Sequence, residues 1–436
     1  LSDQSRLFRF FSPVKDVSWA ARSFVDVDYR NRHGLIALHG SPERVVGHGF
    51  YALAGPGRAE VALEVADEFQ GRGLGTAILG YLAAAAAEAG IGVFVAEVMP
   101  ENHRMLGVFR DSGFRLSTRS GAGVIQVEFP TSATEDARRR FDEREHRSAT
   151  SAMKRFFEPA SIAVIGASRR RGSIGGEVFR NLLDSDFPGP VYPVSPHPVV
   201  QSVPAYASVG DIPGNVDLAV IVVPAAAVLE AARGCGGKGV GALVVISSGF
   251  AETGLEGRLR QYELLEVCRQ SGMRLIGPNC MGILNTDPAH RLNATFAPTF
   301  PPPGRVGFMS QSGALGLAVI DKARALGLGI STFVSVGNKG DISGNDLLEY
   351  WEDDPATDVL MLYLESFGNP RRFSRLARRI TRRKPVLVVK SGRSAAGARA
   401  TSSHTGALIA ASDVTVDALF AQSGAIRGET LGEMFD

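Results

Sequence analysis

The sequence predicts an α/β protein: one mixed α/β domain followed by two doubly wound domains. Three observations predict it. From Ser161 onward, short apolar stretches alternate with helical patterns, which is how a parallel sheet covered by helices is built. Three Gly- or Ser-rich turns, around 70–75, 166–176 and 310–314, each join an apolar strand to a helix. The first 130 residues open instead on a hairpin pattern, which marks a separate domain. At 436 residues the chain has room for two or three domains, each with its own core.

The composition excludes several classes. Apolar content of 44% and charged content of 21% are ordinary for a globular protein. A formal net charge of +2 gives no case for nucleic acid or an acidic membrane surface as partner. Cys235, Cys268 and Cys280 are odd in number and widely spaced, so neither a disulfide framework nor a metal site is expected, and a reducing compartment is. The longest apolar runs, such as 218–229, are too short to span a bilayer. A cytoplasmic protein is expected.

Residues 1–130 are read as the first domain. Strands are expected at 35–39 and 45–53, joined by Gly40-Ser-Pro-Glu-Arg44, and at 59–66. Gln70-Gly-Arg-Gly-Leu-Gly75 follows, then an Ala/Leu-rich helix over 76–89. Such a turn points several amides at one spot, which suits a pyrophosphate. A strand over 93–98 leads to Pro100-Glu-Asn-His-Arg-Met105 and a second helix ending near Ser112. Residues 131–154 are dense in mixed charge and read as a linker forming a solvated helix.

Residues 155–286 begin the doubly wound part. Ser161-Ile-Ala-Val-Ile-Gly166 is a buried strand, followed by Ala167, Ser168, three arginines and a Gly-rich helix start, the opening of a dinucleotide-type fold. Further strands are expected at 191–194, 218–223, 242–247 and 273–276. An acid after the second strand would favour NAD, but Ser195-Pro-His-Pro198 stands there. Arg169, Arg170 and Arg171 suit a more phosphorylated ligand, such as the 3′-phospho-ADP part of CoA.

Residues 287–436 form the third domain, with 287–304 read as a loop. Ser310, Gln311, Ser312 and Gly313 follow an apolar strand and open a helix, a ready phosphate site. Glu365 ends another strand, where a carboxylate can orient an imidazole and favour its protonated form. His404 sits in a run of small residues, 399–408, a plausible position for a histidine that carries phosphate.

These residues carry two resemblances. Gln70-Gly-Arg-Gly-Leu-Gly75 with Glu101-Asn-His-Arg-Met105 and Ser112-Gly-Phe114 resembles the GNAT acyltransferase family. That resemblance implies acetyl-CoA bound at Gln70, Gly71, Arg72, Gly73 and Gly75, with Asn102 across the cleft. It also implies a general base on the preceding strand. Glu60 and Glu64 lie four apart and face the same side there, and Glu60 is favoured. A GNAT domain begins with more chain than precedes the first hairpin here, so the N-terminus is expected to be truncated.

From residue 155 onward the chain resembles the NDP-forming acyl-CoA synthetases, relatives of the succinyl-CoA ligase alpha subunit. Gly166-Ala-Ser168, Val222-Val-Pro224, Ser247-Ser-Gly-Phe-Ala-Glu252 and Gly277-Pro-Asn-Cys280 look like that family's Rossmann-like CoA-binding domain. This implies CoA contacts at Gly166, Ser168, Val223, Pro224, Ser248, Gly249 and Asn279. His197 stands where the family usually has Lys. Ser310-Gln-Ser-Gly-Ala-Leu-Gly316, Gly337-Asn-Lys339, Ser343-Gly-Asn-Asp346, Leu364-Glu-Ser366 and Ser402-Ser-His-Thr-Gly-Ala-Leu408 look like its flavodoxin-like domain. There the resemblance implies a phosphohistidine at His404, stabilised by Glu365, and phosphate at Ser310–Gly313.

The function so implied is the alpha-like half of an NDP-forming acyl-CoA synthetase of the acetate–CoA ligase type, fused to an N-acetyltransferase. Acyl-CoA, CoA and phosphate are its ligands. ADP or ATP with Mg would enter only through an ATP-grasp beta-like domain or subunit, whose pattern is missing before Asp436. An oligomer is expected, and no membrane partner. One alternative is a Pat-like protein-lysine acetyltransferase whose synthetase-like half is a sensor for acyl-CoA or nucleotide. Retention of His404 argues for catalysis instead. The other alternative is a non-enzymatic CoA-binding scaffold.

Overall fold

The computed structural model contains three large sheets. Residues 2–11, 27–39, 44–121, 123–132, 135–391 and 413–435 are described. The chain divides into two compact units, Leu1–Arg147 and Ser148–Asp436.

The first unit holds a six-stranded sheet in the order β1-β2-β3-β4-β6-β5. Its strands are β1 (Arg32–His39), β2 (Arg44–Gly55), β3 (Arg58–Val65), β4 (Val93–Val98), β5 (Ser117–Gly121) and β6 (Val124–Pro130). Helix α1 (Asp3–Phe10) precedes them, and α2 (Leu74–Glu88) and α3 (His103–Asp111) flank β4 in sequence. Along β3 the residues Ala59, Val61 and Leu63 are buried, packed in one core with Ile78, Leu79 and Leu82 of α2. Glu60 and Glu64 therefore share the other face, as their spacing predicts. Strands β3 and β4 pair in parallel only from Arg58↔Val93 to Glu60↔Val95. Beyond Glu60 the two strands part and open a cleft.

Helix α4 (Glu135–Phe157) runs three residues past the end of the linker read at 131–154, and its last turns are less solvated than that reading expects. Its end is apolar, and Met153, Phe156 and Phe157 are fully buried against Ile162 and Val164. The charged residues before them masked this packing in the sequence.

The second unit contains a five-stranded parallel sheet, order β13-β12-β11-β7-β8. It is built from β7 (Ile162–Ile165), β8 (Val191–Val194), β11 (Leu218–Ile221), β12 (Ala242–Val245) and β13 (Arg274–Ile276), with β9 (Val199–Val200) and β10 (Val203–Pro204) forming a separate pair. Three of these strands, β7, β11 and β12, are buried along their whole length, which explains their continuous apolar runs. Helices α5 (Ile174–Asp184), α6 (Ala225–Lys238) and α7 (Leu255–Gln270) make the crossovers.

A seven-stranded sheet follows, order β15-β14-β17-β16-β18-β19-β20. Strands β16 (Pro303–Ser310), β17 (Ile330–Ser335), β18 (Val359–Leu364), β19 (Val386–Lys390) and β20 (Ile426–Gly428) run parallel. Helices α8 (Gly313–Ala325), α9 (Gly344–Asp353), α10 (Pro370–Ile380) and α11 (Asp413–Ser423) alternate with them. The loop reading of 287–304 needs correction. Strands β14 (Gly282–Asn285) and β15 (Leu292–Thr295) form a fully buried antiparallel hairpin that extends this sheet through β17. Asn285, Asn293 and Thr295 hid it, because they are polar yet buried and hydrogen-bonded.

Candidate functional site

In the first unit, the parted ends of β3 and β4 line a cleft of about 700 Å³ with Glu60, Glu64, Gln70, Gly71, Gly73, Gly75 and Asn102 on its walls. Gly71 and Gly73 have φ of 73° and 81°, which a side chain would disfavour. Helix α2 starts at Gly73 with no side-chain cap, so its first N–H groups and its dipole remain available to an anion. The Gln70 carboxamide is occupied in holding the loop. Its nitrogen donates to Val65 O at 2.9 Å, and its oxygen accepts from Arg104. Asn102 lines the far wall and caps α3 by accepting from the Met105 amide. The Arg72 side chain lies over the Phe69 ring instead and is absent from the cleft lining, which leaves it only a backbone part in the loop.

The five-stranded sheet gathers its predicted residues beyond its carboxyl ends. Gly166, at φ 95°, follows β7. A Cβ there would lie 2.3 Å from Val222 O, so the turn passes directly against the end of β11. Ser168 accepts from the Arg170 amide, and its carbonyl accepts from Gln201. Val223 O accepts from Ser247 at 2.6 Å, and Pro224 opens α6 without a side-chain cap. Beside this edge Arg169, Arg171 and Arg180 line a cavity of about 490 Å³ with Gln201 and Ser202. The His197 ring lies 3.1 Å from Arg169, which brings the position expected to hold Lys to the first Gly-rich turn.

Ser248 is exposed at the end of β12. Glu252 accepts from the amides of Gly249 and Phe250 and from Asn338, which also meets Asn279. Desolvation raises the Glu252 pKa, but the hydrogen bond from Asn338 and those backbone amides outweigh it, and the net shift is downward. A fixed carboxylate thus joins the ends of both sheets. Glu252 closes the Ser247–Glu252 motif, but nothing in the spacing of the sequence marks it for this part.

At the ends of the seven-stranded sheet, Ser310 and Gln311 are buried. The Ser310 hydroxyl closes its own turn onto Ser312 O, and Ser312 caps α8. The Gln311 oxygen accepts from the amides of Glu365 and Ser366, and its nitrogen donates to Ser366 O at 2.8 Å. Gln311 therefore fixes the predicted acid against the Ser310–Gly313 turn. Among the described residues, no hydrogen bond takes the amides of Gly313 or Ala314, which leaves two donors at a helix start. His404 lies outside the described residues.

The buried thiols are not candidate nucleophiles. Burial pushes Cys235, Cys268 and Cys280 each up to about 12. Among the described residues, no helix is long and apolar enough to cross a membrane.

Three family profiles match this arrangement: the succinyl-CoA ligase like flavodoxin domain over 303–436, the CoA binding domain over 160–286, and the acetyltransferase (GNAT) family over 5–114. Subunit alpha of acetate–CoA ligase (ADP-forming) I from Pyrococcus furiosus is 44% identical over 290 residues, which are 65% of this chain and 62% of that protein. Subunit alpha 2 of succinate–CoA ligase (ADP-forming) from Archaeoglobus fulgidus is 33% identical over 218 residues, 48% of this chain and 71% of that protein. The chain belongs to the NDP-forming acyl-CoA synthetase family, with a GNAT domain joined to it. Among solved structures, the Ca. Korarchaeum cryptofilum dinucleotide forming acetyl-coenzyme A synthetase 1, in complex with phosphate and ADP, matches with a TM-score of 0.62. It is 44% identical, over 65% of this chain and 61% of that one. The chain thus spans less than two thirds of the acetate–CoA ligase relative. As a member of the synthetase family, it carries the CoA-binding and flavodoxin-like domains predicted for it.

Proposed function

We propose that the second unit is the CoA- and phosphate-handling half of an NDP-forming acyl-CoA synthetase of the acetate–CoA ligase type. The observation that carries this reading is the Gln311 carboxamide, which bonds the backbone of Glu365 and Ser366 and so holds a carboxylate beside a phosphate-type helix start. A phosphate oxygen attacks the thioester carbonyl, the C–S bond breaks, and CoA leaves with an acyl phosphate formed. An imidazole nitrogen of His404 then attacks phosphorus, and the acyl carboxylate leaves. Glu365 orients the ring and offsets its positive charge, while the Gly313 and Ala314 amides hold the phosphoryl oxygens. The phosphoryl group passes last to ADP or GDP on an ATP-grasp partner, which would supply Mg. Acyl-CoA at the five-stranded sheet fits the open helix start at Pro224 and the arginine-lined cavity. Buried, unpaired thiols suit a reducing, cytoplasmic setting.

The test mixes the chain with an ATP-grasp half, labelled nucleoside triphosphate and Mg. Acid-labile, base-stable label on the wild type that is missing from His404→Asn is expected. No label, from protein shown to bind CoA and to assemble with its partner, overturns the reading.

The first unit supports a second activity, acyl transfer from acyl-CoA to an amine. The carrying observation is the cleft between β3 and β4, which joins an uncapped helix start to Glu60. Protein lysines are the acceptor class to assay first. Acyl transfer that persists in His404→Asn but responds to CoA binding in the second unit would favour a synthetase-like sensor.

A further inference from the structure

The turn after β17 carries a lysine to which the reading above gives no part. Lys339 adopts φ 53°, uncommon for a residue with a side chain. Its amide donates to Val336 O at 3.0 Å, closing the turn, and Gly337 before it is also left-handed. The side chain is thereby aimed across the strand ends. Its Nζ donates to Ser366 O at 2.8 Å and to the Ser366 hydroxyl. That same carbonyl receives the Gln311 nitrogen. An ammonium has three N–H donors. Ser366 takes two, and the third is open to a ligand oxygen.

We propose that Lys339 is the cation of the strand-end anion site, acting with the Gly313 and Ala314 amides on phosphate oxygens. This rests on the phosphate-handling reading of the second unit. Among the described residues, the charged groups that act on one another at these neighbouring strand ends are Lys339 after β17, Glu365 after β18 and Lys390 at the end of β19. The β16 turn adds only the neutral Ser310, Gln311 and Ser312, and the Tyr363 phenol is held neutral by burial. Burial pulls Lys339 down to about 8, with Glu365 opposing that shift and Lys390 adding to it. The positive charge is therefore present below about pH 8 and is lost above it.

The test is calorimetric titration of the whole chain with inorganic sulfate between pH 7 and 9.5. Sulfate stays a dianion throughout, so any pH dependence belongs to the protein. Wild-type affinity is expected to fall by about tenfold across that range as the lysine deprotonates. Lys339→Arg should bind and lose this pH dependence, because guanidinium stays charged. Lys339→Met should bind at least about tenfold more weakly at pH 7 and show no such dependence. CoA binding by the same samples reports that the variants are folded. Wild-type-like affinity or pH dependence in folded Lys339→Met overturns the proposal, and so does a wild type that binds no sulfate. If sulfate binding behaves as expected but the wild type takes no label from nucleoside triphosphate, the synthetase reading fails while the anion site stands. Labelling with an unaffected Lys339→Met is the converse.

Discussion

Glu64 Oε1 lies 2.8 Å from His48 Nδ1, its direct neighbour across the β2–β3 pair. The other Glu64 oxygen faces Arg9 Nε at 3.3 Å. Both Glu64 oxygens are thus engaged by neighbours within the fold, which ties this carboxylate to β2 and α1. Glu60, on the same face, is exposed to the cleft at the point where β3 and β4 part. Glu60→Gln is expected to lower kcat for amine acylation by about 100-fold, the usual reach of a general base. Glu64→Gln should cost less than about tenfold in kcat and instead loosen α1. Steady-state kinetics with acetyl-CoA check both, and a larger kcat loss in Glu64→Gln would reverse the assignment.

Asp67 couples α1 to pH. It accepts from the Ser5 hydroxyl and from the Ser2 amide and hydroxyl, and these bonds, led by Ser5, lower its carboxyl from 3.8 to about 2. A folded pKa below the unfolded one contributes stability above pH 3.8 that is lost as pH falls towards 2. The attachment of α1 should therefore weaken between about pH 4 and 2. Asp67→Asn should flatten that response, as read by amide exchange of 3–10 against pH. An unchanged response in the variant would exclude Asp67 as its source.

Much of this was legible in the residues, and the failures share a physical cause. Runs such as Ile162–Ile165 and Leu218–Ile221 announce buried parallel strands, because neither face meets water. The residues at Gly73, Gly166 and Ser310 announce strand-to-helix turns, but of these three only the α2 start lacks a side-chain cap, since Ser173 caps α5 and Ser312 caps α8. Strands β5 and β6 went unread: β5 is Ser-Thr-Arg-Ser-Gly and exposed throughout, so no periodicity marks it. The hairpin at 282–295 was missed because its polar residues are satisfied internally. Lys339 stands in the sequence only as part of the Gly337-Asn-Lys339 motif, with no role of its own, since only the fold brings Ser366 and Glu365 to it. Gln311 was predicted for phosphate, but its side chain holds a neighbouring loop.

If CoA binds at the turn after β7, Gly166 is the backbone position on which that site depends. An added Cβ would meet Val222 O at 2.3 Å, with φ at 95°. Overpacking of this kind costs about 1–3 kcal/mol, and the left-handed backbone about 1–2 kcal/mol more. Gly166→Ala should lower the melting temperature of the second unit and weaken CoA binding at least tenfold, measured by calorimetry at a temperature where the variant is folded. Unaltered CoA affinity would remove this turn from the CoA site.

Gln311 offers the sharpest separation of positioning from stability. Its side chain accepts two amides and donates to one carbonyl, all from 365–366, and it is 6% exposed. Gln311→Ala leaves those groups without that partner, at about 1–3 kcal/mol for each that stays buried, and releases Glu365 from the phosphate turn. Gln311→Glu keeps the acceptor, loses the donor to Ser366 O and brings a negative charge to an anion site. If the phosphate turn and Glu365 act together, Gln311→Ala should lower kcat for acyl phosphate formation by about tenfold or more through misplacement. Gln311→Glu should mainly raise the KM for phosphate, by repulsion. Formation of acyl phosphate from acetyl-CoA and phosphate, followed as hydroxamate, resolves the two. Equal losses of kcat with unchanged KM in both variants would mean that Gln311 only holds the fold, and that the contact between these two strand ends has no part in phosphate chemistry.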